Sequence, residues 1–348
     1  MTKKALIVSP YLDHLGGGER YMLSVASVLE SLGFTIYFAW DNTEEIIKLA
    51  TMLGISLSNP QIDSKVKQLY FGNNPLAMYQ ATRNYDTVVY LSDGSLPLLG
   101  SRNNIIHMQV PFHHVGGRSI PNQIKKKFVN QVIVNSQFTK KIIDQEYALN
   151  SVVVYPPVTP ISCTAPKENL ILSVGRFEPS LNTKKQDVLI EAFKVISPQL
   201  PGWRMVLAGA SASDEWTNKL RAEAAGFPIE LTTNLSHDDL CGLYAKSKIY
   251  WHAAGYGVDE TKNPELTEHF GISTVEAVSA GCVPIVVPYG GQREIVTSKD
   301  LQWTSIPELV TKTLAISQLV DPSAALATMQ ISEYSATNFA ANLEKLIR

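Results

Sequence analysis

Short apolar runs alternate along the chain with segments whose apolar residues recur at helical spacing. Ala5–Ser9 is a mostly apolar run that predicts a buried strand, whereas Glu19–Leu32 and Thr43–Met52 predict helices. Such continuous apolar strands are typical of sheets covered on both faces, which are built from parallel βαβ units. The other strands predicted in the first half of the chain are Phe34–Trp40, Thr87–Leu91, Asn104–Met108 and Gln131–Val134.

Prolines interrupt this series after residue 150. Val152–Tyr155 predicts a strand, but Pro156, Pro157 and Pro160 follow it and stiffen the chain as a linker would. A second series of alternating elements then starts with a predicted strand at Leu170–Val174. Its other predicted elements are helix Asp187–Val195, strand Arg204–Ala208, helices Ser213–Ala225 and His237–Lys246, strand Lys248–His252, helix Thr274–Ala280 and strand Val283–Val287.

These patterns predict an α/β protein with two Rossmann-like domains and parallel sheets. The N-terminal domain is expected at residues 1–158 and the C-terminal domain at 159–330. Residues 331–348 contain a predicted amphipathic helix, for which packing back on the N-terminal domain is one option. A length of 348 residues fits two domains of about 150 residues each, and 45% hydrophobic residues supply two cores.

Charge and cysteine content exclude some classes of function and of structural site. A net charge of −2 argues against a nucleic-acid-binding protein, which usually has a strongly basic domain. Cys163, Cys241 and Cys282 are far apart and form no cluster with histidines, so neither a disulfide framework nor a metal site is expected. Because no apolar stretch approaches about 20 residues, the expectation is a soluble cytoplasmic protein.

Two short basic clusters, Lys125–Lys127 and Lys140–Lys141, lie in the N-terminal half. Clusters of this size are typical of solvated surfaces. They also fit a weak peripheral contact of the N-terminal domain with the inner membrane face, since anionic lipids attract lysines. The sequence leaves both interpretations open.

Two loops that follow predicted strands have features of phosphate-binding sites. Gly16–Gly18 lies between a strand and a helix, where glycines let a phosphate approach the helix N-terminus; a merely tight turn fits equally well. Arg176 follows the strand Leu170–Val174, at the strand end where ligands bind in open α/β sheets. Together with Lys184 or Lys185 it could neutralise a diphosphate, although isolated surface cations are the more ordinary interpretation.

The segment Glu268–Glu276 carries two carboxylates around a predicted helix start. Ser273 and Glu276 have the spacing of a capping box, in which Glu276 would only satisfy backbone N–H groups. Glu268, however, precedes Phe270 and Gly271 in a loop where backbone amides are exposed. Carboxylates in such a loop suit hydroxyl-rich ligands, because each oxygen accepts strong hydrogen bonds from sugar hydroxyls.

Seven short segments follow one another along the chain as motifs: Gly16–Arg20, Asn135–Thr139, Tyr155–Val158, Val174–Arg176, Lys184–Phe193, Glu268–Glu276 and Gly290–Val296. In this order they resemble the group-1 (family 4) retaining glycosyltransferases, and the resemblance covers nearly the whole chain. The resemblance implies a fold of the GT-B type, with two Rossmann-like domains that face each other across a cleft.

The resemblance implies a role for each matching residue. Glu268 would bind the hydroxyls of the transferred sugar, Glu276 the nucleotide ribose, and Arg176 with Lys184 the diphosphate. His107 would contact the donor sugar or the acceptor from the first domain. Backbone groups implied near the donor are those of Gly17, Gly18, Phe270, Gly271, Ile272, Gly290 and Gly291.

The chain departs from the family pattern at two places. The position after the key lysine is commonly glycine in the family but is Lys185 here, which leaves open whether Lys184 or Lys185 holds the diphosphate. The polar loop Gly255–Leu266 is longer than usual. It fits either a contact with the acceptor or a simple insertion.

The resemblance implies a retaining glycosyltransferase that moves a mannose- or glucose-type hexose from a nucleotide-diphosphate sugar to a glycan or lipid-linked acceptor. Neither a metal nor another cofactor is expected, because the cations can stabilise the leaving diphosphate. Two alternatives stay open: a GT-B-fold nucleotide-sugar epimerase, which needs no acceptor, and a non-catalytic subunit that only binds the nucleotide sugar.

Overall fold

The protein is described here by a computed structural model. It divides into two compact units, Met1–Pro157 with Ala336–Arg348 (unit 1) and Val158–Ser335 (unit 2). The chain therefore enters unit 2 after the paired prolines and returns to unit 1 for its last segment. The residues whose structure is described are 2–13, 16–72, 74–178, 183–211, 213–319, 323–327 and 329–347.

Unit 1 contains a seven-stranded sheet in the order β3-β2-β1-β4-β5-β6-β7, and every neighbouring pair is parallel. The strand order reverses between β1 and β4, which pair in register from Ala5 opposite Thr87. The strands are β1 (Lys4–Val8), β2 (Thr35–Phe38), β3 (Gln61–Ile62), β4 (Thr87–Leu91), β5 (Asn103–Met108), β6 (Gln131–Val134) and β7 (Val152–Val153).

Unit 2 contains a five-stranded parallel sheet in the order β10-β9-β8-β11-β12. Its order reverses between β8 and β11, so these two strands lie side by side although the chain between them is long. The strands are β8 (Glu168–Val174), β9 (Arg204–Gly209), β10 (Ile229–Thr233), β11 (Ser247–His252) and β12 (Val283–Val286).

Helices connect the parallel strands of both sheets. Those of unit 1 before the linker are α1 (Gly17–Ser31), α2 (Thr43–Met52), α3 (Ser64–Phe71), α4 (Pro75–Thr82), α5 (Ile120–Lys126) and α6 (Gln137–Tyr147). The remaining helices are α7 (Gln186–Ile196), α8 (Asp214–Ala224), α9 (His237–Lys246), α10 (Ile272–Ser279), α11 (Gln292–Ile295), α12 (Ile306–Ser317), α13 (Ser323–Leu326) and α14 (Ala336–Ile347).

The C-terminal helix α14 is an integral part of unit 1. Its apolar side chains Phe339 and Leu343, four residues apart on one face, are almost completely buried in the same core as α1 and β1. The Phe339 ring packs edge-on against Tyr21 of α1, with ring centroids 5.2 Å apart. The Tyr21 hydroxyl in turn donates a hydrogen bond to the Val154 carbonyl at 3.0 Å. Helix α14 and the chain at Val154, just after β7, thus both contact Tyr21 of α1.

The α/β class with two parallel sheets, as predicted, is confirmed. Two strands were not predicted, β3 and β10. Both lie at sheet edges, and the β10 side chains alternate between half-buried and exposed positions at Ile229, Glu230 and Leu231. Neither strand forms a continuous apolar run, because none of their residues is fully buried and polar side chains are tolerated there. No helix among the described residues has the length and apolar character needed to cross a membrane.

Replacing Phe339 with alanine tests whether α14 stabilises unit 1. Phe339→Ala removes a buried ring and is expected to lower the free energy of unfolding by about 3–4 kcal/mol. Thr337→Ala, at an exposed position of the same helix, is the matched control and should change it by less than about 0.5 kcal/mol. Urea unfolding followed by circular dichroism measures both. Equal stabilities of the two variants would show that α14 adds nothing to the core.

Candidate functional site

A cluster of ionisable side chains lies where the strand order of unit 2 reverses. Lys184 belongs to the loop that follows β8, and Glu268 to the loop that follows β11. The Lys184 ammonium donates to Glu268 Oε2 at 2.5 Å, although the residues are 84 positions apart in the chain. They meet because β8 and β11 are adjacent and parallel, so that both carboxyl ends open at the same edge of the sheet.

His252, the last residue of β11, is the third member of this cluster and was not predicted as a site residue. Its Nε2 lies 2.8 Å from the same Glu268 Oε2. An ionised carboxylate only accepts hydrogen bonds, so Nε2 carries the proton. The imidazole is 2% exposed, and its Nδ1 has no hydrogen-bond partner within the described part of the chain. A polar residue directly after the buried apolar run Ile249–Trp251 was the available signal for it.

The cluster keeps Glu268 ionised. Burial alone would raise the pKa of its carboxyl group, but the Lys184 charge and the bond from His252 more than offset this, and the pKa falls well below its usual range. Burial lowers the pKa of His252 and so favours the neutral ring. The resulting group is a carboxylate held between one ammonium and one neutral imidazole.

Helix α10 begins directly behind Glu268. Gly271 is its N-cap with φ +117°, and no side chain caps the helix. The capping box, left open from the sequence, does not form: Ser273 lies inside the helix and its hydroxyl accepts from Tyr250 at 2.8 Å. Glu276 instead accepts a hydrogen bond from the Tyr244 hydroxyl at 3.0 Å. Because a first helical turn has N–H groups without intrahelical acceptors, the backbone at Gly271 and Ile272 borders a potential anion site.

The loop that follows β12 is fastened to the Glu268 backbone. Gly291 N–H donates to the Glu268 carbonyl at 2.7 Å. A side chain at Gly290 would place its Cβ 2.0 Å from that carbonyl oxygen, and φ of Gly290 is +63°, so only glycine fits. The long loop Gly255–Leu266 contributes Glu260, which accepts from the Gly290 N–H at 3.1 Å and from the Arg293 guanidinium at 2.8 Å. This loop therefore holds the Gly290–Gly291 turn in place.

The structure distinguishes the two neighbouring lysines. Lys184 directs its ammonium to Glu268, whereas Lys185 is the N-cap of α7 in the left-handed conformation, with φ +52°. That conformation is the one glycine adopts most easily, which accounts for a glycine being usual at this position. Arg176 lies after β8 on the same edge, is exposed, and makes no ion pair with any residue that the structure describes.

The site residues predicted in unit 1 differ in their exposure to solvent. Gly17 is the first residue of α1 and exposed, and Gly18 lies directly against the Gln109 side chain. His107, in β5, is completely buried and stacks on Tyr21 with ring centroids 3.9 Å apart. Burial lowers the pKa of His107 to about 3, so its ring is neutral. Its predicted contact with a sugar stays a prediction.

The geometry thus brings together Lys184 and Glu268 and adds His252 to them, all within unit 2. It places Glu276 and the Gly290–Gly291 turn on the loops and helix next to Glu268. This arrangement offers a partly buried carboxylate acceptor and the Lys184 ammonium beside the start of α10, with the exposed Arg176 guanidinium at the same sheet edge. Such a combination can hold hydroxyl groups and phosphate oxygens together.

Residues 161–315, which include this whole cluster, match the family model described as "Glycosyl transferases group 1". This segment belongs to that glycosyltransferase family. The match begins at the linker and ends within α12, so it covers most of unit 2. The predicted resemblance to group-1 glycosyltransferases is thereby confirmed.

Comparisons with individual glycosyltransferases agree with this assignment. A GDP-Man:Man(3)GlcNAc(2)-PP-Dol alpha-1,2-mannosyltransferase of Dictyostelium discoideum is 26% identical over 202 residues. That alignment covers 51% of this chain and 38% of the relative, which is less than two thirds of its length.

Two solved structures resemble the whole chain. A glycosyltransferase from Rickettsia africae has a TM-score of 0.71 at 19% identity, and the match covers 99% of this chain and 98% of that one. The G117R mutant of S. aureus TarM, in complex with fondaparinux, alpha-GlcNAc-glycerol and UDP, has a TM-score of 0.71 at 12% identity, and the match covers 100% of both chains. At such identities the likeness establishes the GT-B fold alone.

The buried imidazole of His107 predicts a pH dependence of stability. Its pKa is about 3 in the folded protein and about 6.5 when unfolded, so between these values the unfolded chain binds the extra proton. Stability contributed by the neutral ring is complete above about pH 6.5 and is lost as pH falls, by up to about 1.4 kcal/mol per pH unit. His107→Phe, which preserves a ring against Tyr21, should lessen the fall in melting temperature between pH 7 and pH 4.

The matched control is His114→Asn, since His114 is exposed and asparagine tolerates its positive φ. This control should melt with the pH dependence of the wild-type protein. An unchanged pH dependence in His107→Phe would contradict the proposed burial cost.

Proposed function

We propose that the protein transfers a hexosyl group, with retention of anomeric configuration, from a nucleotide-diphosphate sugar to a glycan or lipid-linked acceptor. The observation that carries this proposal is the Lys184–Glu268–His252 cluster at the reversal of strand order in unit 2. Open α/β sheets bind nucleotide ligands at such a point, outside the carboxyl ends of the strands. The segment that builds the cluster belongs to a glycosyltransferase family.

Glu268 is proposed to bind the hydroxyl groups of the transferred sugar. A carboxylate has about four lone-pair sites, and the contacts from Lys184 and His252 both reach its Oε2. Oε1 therefore keeps its accepting capacity for sugar hydroxyls. Because Lys184 and His252 fix the carboxylate, it does not need to reorganise when the donor binds, and this lowers the entropy cost of binding.

The diphosphate is proposed to lie between Arg176 and Lys184. An ammonium has three donors, and only one of them is used by Glu268, so Lys184 can bind a phosphate oxygen while it keeps this contact. Arg176 has no ion-pair partner among the described residues and can add a bidentate contact. These cations stabilise the charge that develops on the departing nucleoside diphosphate, and no metal ion is part of the proposal.

The remaining donor contacts are proposed for backbone groups and Glu276. The N–H groups at Gly271 and Ile272 lie at the start of α10 and suit phosphate oxygens, and Phe270 directly before them is proposed to border the donor. Glu276, in the same helix, is proposed to bind the ribose hydroxyls through its carboxylate. The Gly290–Gly291 turn is proposed to border the donor, whereas the contacts of Gly17 and Gly18 with the donor stay predictions from the sequence. We assign His107 no chemical step, since it is fully buried.

The mannosyltransferase relative supports a mannose-type donor and a lipid-linked acceptor, because its name includes GDP-Man and a PP-Dol-linked glycan.

Two alternative functions predict different products. An epimerase would convert the sugar nucleotide without an acceptor, and a binding subunit would give no product. Incubation with GDP-, UDP- and ADP-hexoses, with and without lipid-pyrophosphate oligosaccharides, separates the three. Acceptor-dependent release of nucleoside diphosphate supports the proposal, and proton NMR of the product's anomeric centre tests retention.

Glu268→Gln removes the negative charge but keeps an acceptor for His252 and Lys184. The loss of charge-assisted bonds to sugar hydroxyls is expected to lower kcat about a hundredfold or more. Glu333→Gln, at an exposed position of unit 2, is the control and should retain wild-type activity. Steady-state assays with the best donor measure both. Near-normal turnover by Glu268→Gln would remove Glu268 from the proposed machinery.

Lys184→Met and Lys185→Met form a matched pair that tests the diphosphate site. A nucleoside diphosphate that binds the folded protein raises its melting temperature, and the rise depends on the dissociation constant. Loss of a charge-assisted contact in Lys184→Met should weaken binding about 10- to 100-fold and nearly abolish the rise. Lys185→Met should keep it, because Lys185 does not reach Glu268. Equal rises in the two variants would contradict the assignment of Lys184.

A further inference from the structure

Helix α5 of unit 1 presents apolar side chains to solvent. None of its residues is buried. Ile120 is 78% exposed, Ile124 is 54% exposed, and Phe128 in the following helical turn is 39% exposed. Ile120 and Ile124, four residues apart, lie on one side of α5, and Phe128 follows four residues later in the turn after the helix; we name these three side chains the α5 face. Exposed apolar residues scattered singly are ordinary, but three within nine residues form a patch.

The patch continues onto a neighbouring helix. The Phe128 ring contacts Tyr79 of α4 edge-on, with ring centroids 5.8 Å apart. Leu76, three residues before Tyr79 and therefore on the same side of α4, is 67% exposed. The apolar surface thus extends from the α5 face to α4.

The backbone around α5 is held firmly despite its exposure. The Glu146 carboxylate accepts from the backbone N–H groups of His114, Val115 and Gly117 at 3.0, 3.2 and 2.9 Å. At the other end of the helix, Lys126 Nζ donates to the Ala148 carbonyl at 2.6 Å. Both ends of the segment are therefore fixed to α6 and its C-terminal turn, so α5 is a rigid support for its apolar side chains.

The chain segment that contains the α5 face has an excess of positive charge. Residues 101–150 contain seven Lys and Arg but only two Asp and Glu, whereas residues 1–50 and 51–100 have no such excess. Lys125 and Lys127 lie between Ile124 and Phe128 in the chain, and neither forms an ion pair within the described ranges. Their charges are thus available to an anionic partner.

We propose that the α5 face docks on an anionic lipid bilayer. Ile120, Ile124 and Phe128 would enter the boundary between headgroups and acyl chains, while Lys125 and Lys127 contact headgroup phosphates. Charge complementarity favours a lipid surface over a protein partner, because lysines are depleted at protein–protein interfaces, whereas lysines beside exposed apolar side chains match the layered polarity of a membrane surface. This inference goes beyond the proposed glycosyl transfer and does not depend on it.

Sedimentation with lipid vesicles tests this docking. The full chain is mixed with phosphatidylcholine vesicles that contain, or lack, about 30% phosphatidylglycerol, at low and at high salt. We expect binding to the anionic vesicles at low salt only. Because each lysine near an anionic surface contributes about fivefold to the partition coefficient, Lys125→Gln with Lys127→Gln should lower it about 25-fold. Ile120→Ser with Ile124→Ser should lower it at least tenfold.

The control is Val195→Ser with Lys246→Gln, which changes an exposed apolar and an exposed basic residue of unit 2. It should bind as the wild-type protein does. All substituted positions are exposed or half-buried on the surface, and circular dichroism checks that each variant is folded. Absence of binding by the wild-type protein overturns the proposal, as does binding that the α5 substitutions leave unchanged or that is equal on neutral vesicles. No nucleotide or acceptor is present, so failure here is independent of any failure of glycosyl transfer.

Discussion

The adjacency of β8 and β11 in unit 2 is the constraint from which the candidate site follows. The chain leaves β8, forms β9 and β10 on one side of it, and returns with β11 on its other side. Parallel strands end at the same edge, so the loops after β8 and β11 meet, and Lys184 reaches Glu268. The partly buried ion pair between Lys184 and Glu268 then requires polar neighbours. Glu268 can be ionised in a mostly buried position only because the ammonium and the His252 N–H compensate the loss of water.

Sequence periodicity predicted the central strands and the edge strands β7 and β12, but missed the edge strands β3 and β10, for a physical reason. Central strands such as β1 and β4 are covered on both faces, and nearly all their residues are buried and apolar. The edge strands β3 and β10 contact only one neighbour and are partly exposed, so polar residues are tolerated and the apolar run disappears. The exposed helix α5 escaped prediction in a similar way, since its apolar residues contribute to no core.

Sequence analysis could predict the site residues that their side-chain chemistry and sequence neighbours identify. It could not predict those whose placement depends on backbone conformation or on contacts between distant parts of the chain. Glu268 stands out as a carboxylate before a glycine and a helix. The choice between Lys184 and Lys185 depends on a left-handed backbone at Lys185, which no composition reveals. His252 was taken as the end of a buried strand, because its partner Glu268 lies 16 positions away and their contact requires the fold. Ser273 and Glu276 have the spacing of a capping box, but the N-cap of α10 is Gly271, so Ser273 lies inside the helix and cannot cap it.

The charge state of the cluster limits the chemistry in which Glu268 can take part. Its pKa is well below the usual range, so at any pH near neutrality it is an acceptor and holds no proton to donate. A general acid requires a pKa close to the working pH. Glu268 therefore suits the binding of hydroxyl groups, and proton donation to a leaving group is excluded for it. In the proposed reaction, cations would stabilise the charge that develops on the departing diphosphate, and Lys184 and Arg176 are cationic residues at this sheet edge.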